Sequence, residues 1–389
     1  MTFSFKIQST PYFFDGESME IFVDKKPIID GLRKEVVFEP ATLNKLTFFV
    51  TNKCNGRCKY CYETHGTLSM NYEAADFAIS YLVKHYKHIV NISFFGGEPL
   101  INFDTIKYIV EKLNDTIIVD KYSIVTNAVL LDDDMLKFMA NNDFSITISL
   151  DGPAPIHDAL RSGCLHEQVI KAVKMIQATE IRDNLDFNCT YTKYHADNIT
   201  SANLNQYFQN NHYIYQVSDV LTDIDWLKLP DYDIEHTKVS IDQSLADLCY
   251  PSLNRGVTGY LAAIIHALVT QNYCEYFCDE LCSGMAFDIN GNISPCSKLI
   301  GKVTYGDPIV EESNKKSSQI CLDCWARGLC CHCSAEMILD KNSTPHIKTK
   351  CNKKDLYEYA LVKLMSHYHA DPEVFNNIIE NFDTSNDCV

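Results

Sequence analysis

The chain has 389 residues, 46% of them apolar, which suits one large domain or two medium ones with a sizeable core. Its formal net charge of −17 opposes binding along a phosphate backbone and fits either a basic partner or plain solubility. No run reaches about 18 apolar residues, and Met1-Thr2-Phe3-Ser4-Phe5-Lys6 lacks the layout of a signal peptide, so a soluble, cytoplasmic protein without a membrane span is expected.

Residues 1 to about 44 are mixed, with a short strand and turn at Ile21–Ile28. From Leu46 a pattern sets in. Leu46–Val50, Ile92–Phe95, Tyr122–Val125, Ser145–Leu150 and the stretch near Phe187–Thr192 read as strands. Between them, residues 72–88, Phe103–Leu113, Asp133–Ala140 and Val169–Ala178 have helical periodicity. Such alternation predicts βα units and a mostly parallel sheet, whose sites gather at the carboxyl ends of the strands. Cys54, Gly96, Asn127 and Asp151 each follow a strand, so the pattern predicts one shared cleft. Beyond about residue 200 the alternation fades. Tyr213–Asp231 reads as irregular and aromatic, and Tyr260–Val269 and about Asp355–Tyr368 as helices.

Seventeen cysteines are many for a reducing compartment, where disulfides are rare, so metal sites, iron–sulfur clusters or catalytic thiols are the remaining uses. Three lie around Cys58 and ten between Cys274 and Cys351. The first group, Cys54-Asn55-Gly56-Arg57-Cys58-Lys59-Tyr60-Cys61, has the spacing CX3CX2C. Three thiolates in one loop can hold three irons of a [4Fe–4S] cluster and leave the fourth iron open to a substrate or cofactor. Structural zinc is the alternative, but it prefers paired CX2C knuckles supplying four ligands.

This loop, with Tyr60 just before the last cysteine, resembles the signature of the radical S-adenosylmethionine (SAM) superfamily. Gly96-Gly97-Glu98-Pro99 resembles its GGEP motif, which contacts the SAM amino group. Glycines permit close backbone approach there, and Glu98 offers a carboxylate to an ammonium. Thr126-Asn127, Ser149-Leu150-Asp151-Gly152-Pro153, His157-Asp158 and Arg161 resemble a stretch of peptide-modifying members. The resemblance implies SAM contacts for Tyr60, Gly96, Gly97, Glu98, Asn127, Ser149, Asp151 and Arg161, although Arg161 also reads as a solvated surface charge. Ala128 stands where the family usually has glycine.

The second region resembles the SPASM extension, which binds two auxiliary [4Fe–4S] clusters. Gly291-X4-Cys296 and Cys321-X2-Cys324-X5-Cys330 fit its pattern. The Cys282–Gly291 spacing is slightly short, and Cys333 follows Cys330 one residue early, with Cys331 as an alternative. By this resemblance one auxiliary cluster takes Cys321, Cys324, Cys330 and Cys351. The other takes Cys282, Cys296, Cys333 and either Cys278 or Cys274. Two structural zinc sites are the alternative. Cys164, Cys189, Cys249 and Cys388 have no partner at motif spacing and read as ordinary thiols.

The family resemblance implies a partial (β/α)6 TIM-like barrel over 45–240, after an extension over 1–44. A cysteine-rich SPASM domain with a C-terminal helix would occupy 241–389. It also implies three [4Fe–4S] clusters, SAM, a peptide substrate and a flavodoxin- or ferredoxin-type electron donor. The activity expected is oxidation or cross-linking of a ribosomally made peptide, with a thioether or related bond as product. Cys324-Trp325-Ala326-Arg327-Gly328-Leu329-Cys330 resembles a stretch of thioether-forming peptide maturases. Anaerobic sulfatase-maturating enzymes, which form formylglycine, share the cysteine order but place an aspartate after the cysteine matching Cys296. Here that residue is Ser297, no comparable base. About 44 residues before the first barrel strand would not fit a leader-recognition domain of some eighty, so a separate recognition protein is a candidate partner. A non-catalytic metal-binding module is the remaining alternative.

Overall fold

The computed structural model describes residues 1–29, 41–220, 222, 224–229, 235–249, 259–271, 284–308, 315, 319–330 and 353–382. The chain divides into two compact units. One comprises Met1–Val37, Asp231–Cys282 and Pro308–Val389, and the other Phe38–Pro230 with Ser283–Asp307.

The first unit begins with four antiparallel strands in chain order, β1 (Thr2–Ile7), β2 (Thr10–Asp15), β3 (Glu20–Val23) and β4 (Lys26–Pro27). Asp24 and Lys25, both at positive φ, form the two-residue turn between β3 and β4, the conformation that matches strand twist in a hairpin.

In the second unit β5 (Thr42–Thr51) leads through a short β6 (Arg57–Cys58) to α1 (Tyr72–His85). Then follow β7 (His88–Gly96), α2 (Phe103–Asn114), β8 (Ile118–Thr126), α3 (Asp133–Asn141) and β9 (Phe144–Ser149). Next come α4 (Ala154–Leu160), β10 (Arg161–Ser162), α5 (His166–Gln177), β11 (Leu185–Tyr191), α6 (Lys193–Asn198), α7 (Ser201–Asn210) and β12 (Tyr215–Asp219). The first unit continues with α8 (Glu235–Cys249) and α9 (Gly259–Thr270). The second closes with β13 (Gly284–Phe287) and β14 (Ile293–Ser294), and the first ends with α10 (Lys353–Ala370) and α11 (Pro372–Asn381).

The second unit is a mixed α/β fold around an eight-stranded sheet of order β12-β11-β9-β8-β7-β5-β13-β14. Six strands in chain order, β5 to β12 without the two short ones, run parallel to their neighbours. β13 extends the sheet in parallel with β5, and β14 turns back antiparallel. Phe287, Phe48, Phe94, Tyr122 and Phe144 stack across the sheet with neighbouring rings 5.5–6.4 Å apart. These offset stacks fill the core and hold register across five strands. Helix starts follow the expected chemistry. Asn71, Asp132 and Thr200 cap α1, α3 and α7 by accepting backbone N–H bonds.

The expected parallel α/β architecture is present, but the stretch read as irregular contains β12. Its sequence Tyr-Gln-Val-Ser-Asp lies at the edge of the sheet formed by the described residues, with Gln216 and Ser218 exposed and Tyr215 and Val217 only half-buried, so its apolar pattern is short and weak. The first unit has its own core, in which Leu261, Ile264, Ile265 and Leu268 of α9 join Tyr357, Leu361 and Leu364 of α10. No helix among the described residues is long and apolar enough to cross a membrane.

Candidate functional site

Three loops meet at the carboxyl ends of β5, β7 and β8. The first, after β5, carries Cys54, Cys58 and Cys61. Burial raises the Cys54 thiol to about 11 and also pushes Cys58 and Cys61 up; neighbouring sulfurs add to Cys54 and Cys61, while at Cys58 the Arg161 guanidinium pulls down and Asp151 pushes up. The Gly56 N–H donates to Cys54 Sγ at 3.3 Å. The Arg57 guanidinium pins the loop by donating to the Cys54 and Gly56 carbonyls at 2.8 and 2.6 Å. Among the described residues no three ligating side chains converge on a single ion position. A cubane cluster asks for something else, three thiolates each on a separate iron, and this donor set in one loop fits it. Loading would release the thiol protons, the metal–sulfur bonds offsetting their high affinity.

The second loop leaves β7 at Gly96. A Cβ on Gly96 would lie 2.4 Å from the Thr51 carbonyl oxygen, and one on Gly97 2.3 Å from that of Lys53. Only glycine admits this approach. It lets the N–H groups of Gly97 and Glu98 donate to the Thr51 and Lys53 carbonyls, both at 2.8 Å, so the second loop is laced onto the start of the cysteine loop.

Glu98 is 1% exposed and ties in the third loop. Its carboxylate accepts from Thr126 Oγ1 at 2.6 Å, from the Asn127 N–H at 2.8 Å and from the Leu100 N–H at 3.1 Å. Asn127 and Asn55 exchange side-chain amide bonds at 2.8 and 3.4 Å, closing the circuit back to the residue after Cys54. Ala128 sits at φ 61, buried, so the departure from glycine strains the turn by about 1–2 kcal/mol.

Burial lifts the Glu98 carboxyl to about 7, against the pull of its three donors. A carboxyl raised on folding favours the folded state fully below its ordinary value of about 4.5, and that contribution is lost as pH climbs through about 7. Glu98→Gln apoprotein should therefore lose less stability than wild type between pH about 4.5 and 7.5, by up to roughly 3 kcal/mol. Denaturation midpoints at the two pH values measure it, and equal losses in both proteins would refute it.

Ser149, the last residue of β9, is half-buried, and Asp151 just beyond it is fully buried. Asp151 accepts from Tyr60 Oη at 2.6 Å, Arg161 Nε at 2.8 Å and Nη2 at 3.1 Å, and the Thr190 N–H at 3.1 Å. Burial alone would raise this carboxyl, but the Arg161 guanidinium holds it below the usual carboxylate range. Arg161 is 5% exposed, so it is not the solvated surface charge its sequence context allows. Its remaining nitrogen, Nη1, points at Cys58 Sγ, 3.8 Å away. Thr190 and His195 join this network without any motif to announce them, since a lone histidine opening a short helix reads as ordinary.

Cys164 is 1% exposed and packs behind the loop, where a Cβ on Gly56 would meet its sulfur at 2.6 Å, while Cys189 is fully buried. In the second cysteine region Cys296 is buried and precedes the short turn Ser297–Leu299. Cys321, Cys324 and Cys330 are half-buried, and the last two pack against the core that holds Trp325 and Leu329. Cys274, Cys278, Cys282, Cys331, Cys333 and Cys351 lie outside the described residues.

Residues 48–196 match the family model described as the Radical SAM superfamily. A radical SAM cyclopropyl synthase, TigE of Paramaledivibacter caminithermalis, is 26% identical over 243 residues, covering 56% of this chain and 49% of that protein. A cysteine-type anaerobic sulfatase-maturating enzyme of Clostridium perfringens (strain 13 / Type A) is 26% identical over 162 residues, 38% of this chain and 43% of that protein. An uncharacterized protein of Methanocaldococcus jannaschii, MJ0907, is 37% identical over 122 residues, 31% of this chain and 42% of that one. The chain thus spans less than half the length of each of these relatives. Among solved structures, native anSMEcpe with bound AdoMet and Kp18Cys peptide superposes with a TM-score of 0.68 at 19% identity, covering 85% of this chain and 99% of that one. Streptococcus suis SuiB gives 0.58 at 18%, covering 80% and 78%. At these identities the likeness is one of fold.

Proposed function

From the radical SAM domain that the chain carries over residues 48–196, we propose an oxidoreductase that modifies a ribosomally made peptide. The observation that carries this reading is the junction of the three loops, in which two glycines and Glu98 bind the cysteine loop to the ends of β7 and β8. Cys54, Cys58 and Cys61 would hold the catalytic [4Fe–4S] cluster, with Gly96, Gly97, Glu98 and Ser149 facing the methionine part of SAM. When bound, cluster and cofactor supply a 5′-deoxyadenosyl radical that abstracts hydrogen from the substrate. The chain's own part is to hold the loops in place and keep water from the radical.

Two auxiliary clusters belong to the same proposal, one on Cys321, Cys324, Cys330 and Cys351, the other on Cys282, Cys296, Cys333 and one of Cys278 or Cys274. A flavodoxin- or ferredoxin-type donor would supply electrons. A peptide substrate is supported by the neighbours, since anSMEcpe is described with a bound Kp18Cys peptide and SuiB with the precursor peptide SuiA. Within that class we favour a cross-link, thioether or related. Relatives named as cysteine-type sulfatase-maturating enzymes favour formylglycine instead, but Ser297 offers no comparable base after Cys296.

Anaerobic incubation of reconstituted, reduced protein with SAM and a cysteine-containing peptide tests both readings. The expected product has lost two hydrogens and has a blocked thiol. An aldehyde in its place would move the assignment to formylglycine, and an unmodified peptide with no 5′-deoxyadenosine would contradict the proposal.

A further inference from the structure

We infer that Asp151 and Arg161 form a buried charge clamp that positions Cys58 and sets the reduction potential of the cluster held by Cys54, Cys58 and Cys61. The inference rests on the reading of that loop as a cluster site. Arg161 and Asp151 are 5% and 0% exposed, so both charges have left water. Such a pair is weak grounds for stability, because desolvation cancels much of the attraction. Its geometry points to another use. Asp151 occupies Nε and Nη2 of the guanidinium and turns Nη1 toward Cys58 Sγ. The backbone repeats the contact, for Arg161 and Cys58 are direct partners in the β10–β6 ladder, and the Lys59 N–H donates to the Leu160 carbonyl at 2.9 Å.

The clamp has little slack. His157 Nδ1 accepts the Asp151 N–H at 3.2 Å, so its protonated Nε2 donates to the Cys164 carbonyl at 2.8 Å. His195 Nδ1 accepts the Thr192 N–H at 3.1 Å, so its Nε2 donates to the Asp151 carbonyl at 2.9 Å. Two neutral histidines thus fix both backbone groups of Asp151. Tyr60 donates to its carboxylate and also lies under the guanidinium, 5.3 Å from ring centre to Arg161 Cζ. The other two sulfurs have different company. Cys54 receives the Gly56 N–H, and Cys61 lies 3.4 Å from His65 Nε2. A cation donating to one ligand sulfur stabilises the electron a cluster gains on reduction, more than the Asp151 charge behind it opposes, so the potential rises.

The test is redox titration of the reconstituted full chain followed by electron paramagnetic resonance. The spectrum of Cys54→Ala/Cys58→Ala/Cys61→Ala is subtracted so that only this cluster is read. Arg161→Met should keep its iron and titrate at a more negative midpoint, and Arg161→Lys should recover part of the shift. Wild-type iron with an unchanged midpoint in Arg161→Met overturns the inference. If Arg161→Met does not fold, Arg161→Lys decides, because it keeps the charge but loses the fork. A midpoint and line shape identical to wild type then overturn it. Should the triple variant lose no iron relative to wild type, the reading of the loop itself fails, and the clamp with it.

Discussion

Alanine at Cys54, Cys58 and Cys61 together is expected to remove about four irons per chain and to take 5′-deoxyadenosine formation below detection. The iron held by the second cysteine region should remain. The effect is this large because the three thiolates are the only protein bonds the cluster would have, and the open iron on which SAM depends goes with them. The fold should survive. Cys54 and Cys61 lie outside the sheet core, Cys58 is only partly buried beside a small cluster around Tyr60 and Leu160, and the backbone bonds that lace the loop to β7 do not involve cysteine side chains. The apoprotein's denaturation midpoint should therefore move little. A triple variant that still made 5′-deoxyadenosine would remove the assignment.

The second large effect is expected at Gly97. Replacing it by alanine would put a methyl group 2.3 Å from the Lys53 carbonyl oxygen, a clash with backbone that no rotamer relieves. The loops must separate, and with them the Gly97 and Glu98 N–H bonds to Thr51 and Lys53. Overpacking against backbone costs about 1–3 kcal/mol, and two lost hydrogen bonds about 1 kcal/mol each. For a unit of this size that lowers the melting temperature by roughly 6–20 °C. Cluster loading should fall as well, since the cysteine loop loses its support. Gly306→Ala is the control. Unlike Gly97 it has positive φ, but nothing lies within 4 Å of its Cβ position, so it should cost only about 1 kcal/mol of backbone strain. Equal losses in both variants would show that close approach is not what Gly97 provides.

Much of this site was legible before the structure, for a physical reason. Cysteine spacing, a glycine pair and a strand end are local, and the chemistry they serve is local too. Strands inside the parallel sheet were also legible. Ile92, Phe94, Ile146 and Ile148 are all fully buried and alternate with the polar Ser93 and Thr147, so the core-facing side of each strand writes an apolar period of two. What stayed hidden depends on distant partners. β13 is four residues long and joins β5 across more than two hundred residues of chain, so no local pattern announces it. Asp151, Thr190, His195 and Arg161 meet only because β9 and β11 end where β10 begins. Family resemblance marks Asp151 and Arg161, and it implies SAM contacts for them. The geometry adds what spacing cannot, that the guanidinium is already engaged by Asp151 and aimed at a cysteine sulfur.

The central claim is that Cys54, Cys58 and Cys61 hold a cluster with one iron open to SAM. The most direct measurement is the electron paramagnetic resonance spectrum of the reduced, reconstituted chain with and without SAM. It needs no substrate and no turnover. The account predicts a spectrum that changes when SAM is added, with the responsive component absent from the triple alanine variant. Iron-loaded protein whose spectrum ignores SAM, or a SAM response that persists in the triple variant, would contradict it.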